Sequence, residues 1–474
     1  MQSASSAKAD GAGRRYRHIL CVYPYRVELS RSVHFPPLGL ELIAAAIRPF
    51  ADSLDVIDLR KESGRTVDFL RPDTDLVCFS VNWDKEGEFV REEIRSVPAE
   101  MRTIVGGRHA SNDPERWLAD CPNIDIVVRG DGEEAAVEIA RGEKLDGMPG
   151  ISFRHGGGIS HGPARHPGPV DDDIFPDRAM RRYVYKVPAY SRVGVVALDA
   201  VASSRGCPFN CKFCSFDRNP WGAKRNWSAR SPESVVRELE QVSAKHIIFV
   251  DDNFTHDMDR VGRICDLLIE RGIRKRYAVN ARVEIARRPD VLRKMERAGF
   301  SVLLLGVEST QDRTLKSMRK GFDTKRLREY FRVLRKSKMV LHGYFILGCI
   351  GETEEEMLEI APFARELGLD SLGLCTLRNN PYSGLDELVA ATPGYHMSEL
   401  GDIYSDDIPR ERLGAIRREI CKAFYFDRGQ IWQMVRKLIG NRLVTLGMLA
   451  RLPGFLLMKK RRWRTKRRCS AANP

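Results

Sequence analysis

The sequence predicts an α/β protein made of an N-terminal doubly wound parallel sheet, a partial (β/α)6 barrel of the TIM type and a helical, basic C-terminal region. Three observations carry this. From His18 to about Gly142, short apolar runs alternate with helix-period stretches, which implies a parallel sheet covered on both faces. Beyond a Pro- and Gly-rich connector the alternation resumes with longer helices and yields six strand and helix pairs. Of a net charge of +14, residues 428–474 hold 13 Lys or Arg and no acid, leaving +1 for residues 1–427. The body is therefore not a basic, nucleic-acid-binding surface, and no nucleic acid partner is expected.

The 474 residues suggest about three domains. Residues 1–17, rich in Ala, Ser, Gly and basic residues, lack the apolar core of a signal peptide and read as a disordered arm. In the doubly wound unit, 18–150, the strands are Ile19-Leu20-Cys21-Val22, Val56-Ile57-Asp58-Leu59, Val77-Cys78-Phe79-Ser80-Val81, Thr103-Ile104-Val105 and Ile126-Val127-Val128, with helices such as 40–47 and 89–97 between them. Two of these strands run into Gly106-Gly107-Arg108-His109 and Gly130-Asp131-Gly132-Glu133. Ligands in open parallel sheets sit beyond such strand ends, where glycine lets backbone approach them, although the same glycines also serve plain tight turns.

Residues 151–192, with Gly156-Gly157-Gly158 and Asp171-Asp172-Asp173, read as a linker after a last strand at Ile151-Ser152-Phe153. The barrel, 193–385, takes strands at 195–198, 246–250, 277–279, 302–307, 340–347 and 371–376. Its helices fall at 232–242, with Ser231 as N-cap, then 261–270, 290–298, two basic segments within 310–337, and 354–367. Residues 386–474 form a helical cap and then a basic amphipathic tail in which Trp432, Val435, Ile439, Leu443 and Leu446 recur at helical spacing. Such a segment suits an anionic membrane surface, while a helix packed on the body and a solvated basic tail fit the same pattern. No run of 18 apolar residues spans a membrane, and eleven cysteines without a secretion signal point to the cytoplasm, with peripheral contact at the inner face of the cell membrane.

The chemistry is concentrated in Arg205-Gly206-Cys207-Pro208-Phe209-Asn210-Cys211-Lys212-Phe213-Cys214. Three thiolates at spacings of four and three can ligate three irons of a cubane and leave the fourth open, as reactive metal sites require. A structural zinc would want a fourth Cys or His, and the closest His, His246, lies beyond a helix; disulfides suit an odd cysteine count poorly. Polar residues follow four successive strands: Asp251-Asp252-Asn253, Asn280-Ala281-Arg282, Glu308 and Gly348-x-x-Gly351-Glu352. One such acid is often a helix cap, but four around one loop make a site. Cys349 and Cys375, near the ends of strands five and six, read as inert small hydrophobes, with a thiolate or hydrogen-donor role as the alternative.

The C-x-x-x-C-x-(aromatic)-C pattern of residues 207–214 resembles the radical S-adenosylmethionine (SAM) superfamily. That likeness implies a 4Fe-4S cluster on Cys207, Cys211 and Cys214 and SAM held by Phe213 (adenine), Asp251, Asp252 and Asn253 (the methionine amino group), and Arg282 and Glu308 (carboxylate and ribose). It also implies a flavodoxin- or ferredoxin-type electron donor. The upstream unit resembles the cobalamin-binding domain of one radical SAM subfamily through Pro36-Pro37-Leu38-Gly39-Leu40, Gly106-Gly107-x-His109 and Gly130-Asp131-Gly132-Glu133. This implies cobalamin at Ser80, Gly106, Gly107, His109, Gly130, Gly132 and Glu133. The D-x-H-x-x-G element that supplies a cobalt histidine is absent, Ile350 stands where the family commonly has proline, and Pro381-Tyr382-Ser383-Gly384 is a loosened sixth-strand ending. The activity implied is methyl transfer to an unactivated carbon of a small-molecule or lipid substrate, and the domain order and tail look most like hopanoid-type lipid methylases. Non-methylating radical cyclases and a catalytically silent cluster-bearing protein are the alternatives.

Overall fold

The computed structural model describes residues 15–26, 35–83, 86–166, 170, 173–187 and 196–441. The first sheet holds β1 (Tyr16–Tyr23), β2 (Ala51–Asp58), β3 (Thr74–Ser80), β4 (Arg102–Gly106) and β5 (Ile126–Val128), all parallel, in the order β2-β1-β3-β4-β5. This is the flavodoxin-type arrangement, whose crevice opens at the switch point between β1 and β3. The predicted last strand is one arm of a hairpin, β6 (Ile151–His155) and β7 (Gly158–His161), added antiparallel to β5. Its turn works because Gly156 and Gly157 both adopt positive φ, 58° and 82°, as the two-residue turn that matches strand twist demands. Residues 151–161 therefore belong to the first sheet rather than to the linker.

The second sheet starts with β8 (Lys186–Val187), antiparallel to β9 (Val196–Val201). A small ladder of β10 (Ser204–Arg205) and β11 (Ser228–Ala229) brackets the cysteine loop. Then follow β12 (His246–Phe249), β13 (Arg276–Ala281), β14 (Phe300–Glu308), β15 (Val340–Leu347) and β16 (Ser371–Thr376). The order β16-β15-β14-β13-β12-β9-β8 places neighbours in sequence beside each other, so six parallel strands curve as the predicted partial barrel. The edge strand β16 meets Tyr425: the Leu372 N–H donates to its hydroxyl at 2.8 Å, and that hydroxyl lies 3.4 Å from the Leu372 carbonyl.

Helices pack outside the barrel. Ser231 caps the helix Pro232–Gln241 by accepting from the Ser234 N–H. The segment predicted as one helix at 354–367 splits into Glu354–Leu358 and Ile360–Leu367, because Pro362 has no N–H for the Leu358 carbonyl. The helix Arg410–Tyr425 drives Leu413, Ile416, Ile420 and Phe424 into the barrel core. The helix Arg428–Gly440 docks the other way round: Gln430, Gln433 and Lys437 bind Leu369 and Asp370 of the body, while Ile431 and Trp432 (68% exposed) point outward. The remainder of the predicted tail, from residue 442, lies outside the described residues.

Buried ion pairs tie the two units together. Arg181 donates to Glu41 of the first unit at 2.6 Å and to Asp199 of β9 at 2.7 Å, and Arg178 bridges Asp199 and Glu238 at 2.9 and 2.7 Å. Much of the connector is thus a structural strap.

Candidate active site

The three cysteines of the loop are free thiols, Cys211 buried and Cys207 and Cys214 partly so. Burial raises the pKa of Cys207 and pushes Cys214 up to about 12. Ionising them takes a strong positive charge, which bound metal provides. Among the described residues, no three His, Cys, Asp or Glu side chains form a site for a single metal ion. A cubane takes each cysteine on a different iron, so this donor set fits a cluster and not a zinc. The loop is anchored by Gly206 N–H donating to Asp252 Oδ2 (2.8 Å), Lys212 N–H to the Met318 carbonyl (3.1 Å) and Cys214 N–H to the Cys211 carbonyl (3.0 Å). Arg282 Nη1 approaches Cys211 Sγ at 3.9 Å, and its guanidinium lies 3.7 Å from the Phe209 ring centre.

Strand phase decides which predicted residues face the barrel interior. Side chains alternate across a strand, and along β12 Ile247 and Phe249 are buried against helices while Ile248 and Val250 are not. Continued past the strand end, this phase buries Asp251 and Asn253 and turns Asp252 toward the open side. The Asp251 carboxylate accepts from Ser203 N–H (2.8 Å), Ser203 Oγ (2.6 Å) and Ser204 Oγ (2.5 Å), and burial raises its pKa. Asn253 is buried and accepts from the Thr255 hydroxyl at 3.4 Å. Neither lines the central cavity. Asp251 instead pins the end of β12 to β10, and Asp252 alone of the three lines the central cavity.

Arg282 continues the inward phase of Ala278 and Asn280, and Glu308 that of Val302, Leu304 and Gly306. Arg282 also donates to Glu284 (2.7 Å) and to the Lys320 carbonyl (2.7 Å). Glu308 adopts φ +73°, strained for a side-chain-bearing residue, and holds a 2.7 Å ion pair with buried Lys320. Lys320 Nζ is in turn 5.5 Å from the centre of the Phe213 ring, which packs beside Met318, Ile346, Cys349 and Leu377. Cys349 is a core residue there, whereas Cys375 is exposed. Lys320 escaped the sequence analysis because it lies on a loop with no strand phase. His342 and Tyr344 share the inward phase of β15, with rings 4.7 Å apart, and burial lowers the His342 pKa to about 4. The period-2 pattern of β15 alone would have found them.

The strand ends of both sheets open on one cavity of about 1170 Å³, larger than the roughly 300–1,000 Å³ of most small-molecule pockets. Ser80, Gly106, Gly107, Gly130, Gly132 and Glu133 line it from the first unit; Ser204, Arg205, Ser215, Phe216, Trp221 and Asp252 line it from the second. A Cβ on Gly107, at φ +99°, would stand 2.6 Å from the Val81 carbonyl oxygen, so only glycine lets this turn close. A cofactor of corrin size, resting on strand-end backbone, fits this cradle. His109 is not part of it: its ring packs edge-on against Trp117, 5.7 Å between centres. Glu133 lines the cavity, but its carboxylate is engaged by Arg205.

The sequence profile of the Radical SAM superfamily matches residues 201–364, and that of the B12 binding domain matches residues 29–140. The chain thus carries a stretch matching each of these two domain families, in the order B12 binding then radical SAM. The chain is 28% identical to an uncharacterized methyltransferase of Pyrococcus horikoshii over 71% of this chain and 74% of that one. It is 31% identical to the hopanoid C-3 methylase of Methylococcus capsulatus over 64% of this chain and 59% of the relative. It is 28% identical to an anaerobic magnesium-protoporphyrin IX monomethyl ester cyclase of Cereibacter sphaeroides over 57% and 45%. The radical SAM methyltransferase TsrM from Kitasatospora setae, solved with tryptophan and a SAM analogue, shares the fold at a TM-score of 0.71 and 18% identity, covering 87% of this chain and 90% of that one. Among the described residues no helix is long and apolar enough to cross a membrane.

Proposed function

We propose that this protein is a cobalamin-dependent radical SAM C-methyltransferase acting on an unactivated carbon of a small-molecule or lipid substrate. The observation that carries this reading is that residues flanking the cysteine loop, Arg205 before it and Ser215 after it, line a single cavity together with the glycine turns of the other sheet. When bound, the cluster and SAM supply a radical able to take hydrogen from an unactivated carbon, and cobalamin supplies the methyl group. Cys207, Cys211 and Cys214 would hold three irons. Asp252 offers an acceptor for the SAM ammonium, Arg282 and Glu308 polar contacts for its carboxylate and ribose, and Phe213 a ring for its adenine. Ser80, Gly106, Gly107, Gly130 and Gly132 present the backbone on which cobalamin would rest. The chain's own part is to orient these groups and exclude water.

The cyclase relative favours a second reading, radical cyclisation without methyl transfer. Anaerobic reconstitution with iron, sulfide, SAM and cobalamin separates the two. The methyltransferase forms S-adenosylhomocysteine together with 5′-deoxyadenosine, the cyclase forms 5′-deoxyadenosine alone, and a silent binding protein cleaves no SAM. A flavodoxin- or ferredoxin-type protein fits as electron donor.

The reading extends to peripheral contact with an anionic lipid surface. The helix Arg428–Gly440 spends its polar face on the body and turns Ile431 and Trp432 outward beside Arg428 and Arg436. The sequence that follows keeps the same excess of cations. Contact with a lipid surface would suit a substrate of the hopanoid class, on which one relative acts.

A further inference from the structure

The cysteine loop is gripped from both sides by the two glycine turns of the B12-binding unit. Two residues before Cys207, Arg205 forms a bidentate ion pair with Glu133 (3.1 Å from Nη1, and a closer contact from Nη2) and lies 3.6 Å from Asp131. Arg225, across the small ladder, donates to Asp131 at 2.5 Å. One residue after Cys214, the Ser215 hydroxyl accepts from Arg108, whose guanidinium covers the Phe216 ring at 4.8 Å. Glu133 and Arg205 have side chains 16% and 22% exposed, so solvent screens this pair little. Burial opposes the charge on Glu133, but Arg205 outweighs it and holds the carboxyl below its usual range.

We propose that Glu133 and Asp131 are positioning residues that act through Arg205 and Arg225 to couple occupancy of the B12 site to the cluster loop. The same turn, Gly130 to Glu133, supplies backbone to the cavity and carboxylates to the loop. A ligand that fixes this turn therefore fixes the arginine leading into Cys207, and a cluster that orders the loop fixes the turn. Linkage makes the effect reciprocal: the factor by which the cluster tightens cobalamin binding equals the factor by which cobalamin tightens the cluster. The inference rests on the cobalamin reading above.

The test titrates the full chain with hydroxocobalamin, followed by absorbance, once as apoprotein and once after cluster reconstitution, with iron quantified in each sample. The wild type is expected to bind cobalamin roughly tenfold more tightly with the cluster in place, within the range usual for coupled sites. Glu133→Gln and Asp131→Asn, measured separately, are each expected to bring that ratio toward one while still binding cobalamin. The electron paramagnetic resonance spectrum of the reduced cluster should likewise respond to cobalamin in the wild type and lose that response in both variants. A wild type that binds cobalamin equally with and without the cluster overturns the coupling and leaves the cofactor assignment standing. A folded variant of either kind that keeps the wild-type ratio also overturns it. A wild type that binds no cobalamin in either state removes the assignment and the coupling together.

Discussion

Arg282 reaches across the barrel mouth to Cys211, its Nη1 3.9 Å from the sulfur, with the guanidinium plane against Phe209. A fixed cation beside a cysteine ligand stabilises the more negative, reduced form of a cluster. Arg282→Gln should therefore lower the reduction potential. A charged hydrogen bond is worth about 1.5–3 kcal/mol, which bounds the shift of this one-electron couple at about 130 mV. A redox titration followed by electron paramagnetic resonance reads it, and an unchanged potential would show that Arg282 serves its Glu284 and Lys320 contacts only.

Asp251 and Asp252 are neighbours with different work, and substitution should separate them. Asp251→Asn weakens three buried hydrogen bonds and is expected to cost about 2–3 kcal/mol in urea denaturation, with SAM affinity of the folded protein unchanged. Asp252→Asn should leave stability nearly intact and weaken SAM binding about tenfold, by calorimetry on cluster-loaded protein. The reverse pattern would return the amino-group role to Asp251.

This pair also shows what the sequence discloses. The six parallel strands were legible as apolar runs between helices, and the cysteine loop as spacing alone. Which of three consecutive polar residues faces the site was not legible from their chemistry, since all three can accept a hydrogen bond. It follows from the phase of Ile247 and Phe249, which any strand pattern contains once its core face is known. The loss of His109 from the cavity and the diversion of Glu133 to Arg205 were beyond reach, because both depend on partners 8 and 72 residues away, Trp117 and Arg205. The hairpin at 151–161 is half legible in the sequence: Ile151-Ser152-Phe153 reads as a strand, but Gly156-Gly157-Gly158 suits a connector as well as the turn it forms.

Glu352 gives the fold a pH dependence. Its carboxylate accepts from the Gly348 and Cys349 N–H groups at 3.0 and 3.1 Å, and burial raises its pKa from 4.5 to about 7. Because the folded state holds the proton more tightly than the unfolded chain, this contribution is complete below pH 4.5 and is lost as pH rises through 7. The loss should amount to about 3 kcal/mol at most. Denaturation curves between pH 5 and 8 should show Glu352→Gln gaining stability on the wild type as pH rises, and parallel curves would refute the assignment.

Lys320 and Glu308 are buried at 6% and 9% side-chain exposure. Lys320→Met leaves an unpaired buried carboxylate and should cost about 3–5 kcal/mol, most of which Lys320→Met with Glu308→Gln should recover. Thermal or urea unfolding of the single and double variants measures both. A single variant as stable as the wild type would show that the Glu308–Lys320 pair adds nothing to stability.

Deletion of residues 428–474 removes 13 cations and should abolish co-sedimentation with vesicles of phosphatidylserine and phosphatidylcholine, since each Lys or Arg near an anionic surface contributes about 1 kcal/mol. Trp432→Ser should weaken it in the full chain. Equal sedimentation of the full and shortened proteins would exclude a lipid surface as the partner of this region.

An incomplete barrel has two raw edges, and each is a template on which a neighbouring molecule could build. Here Lys186–Val187 occupies one of them as β8, and at the other the Tyr425 hydroxyl takes up the Leu372 N–H that an incoming strand would seek. The phenol oxygen thereby takes one outward donor of the rim out of reach of an incoming strand.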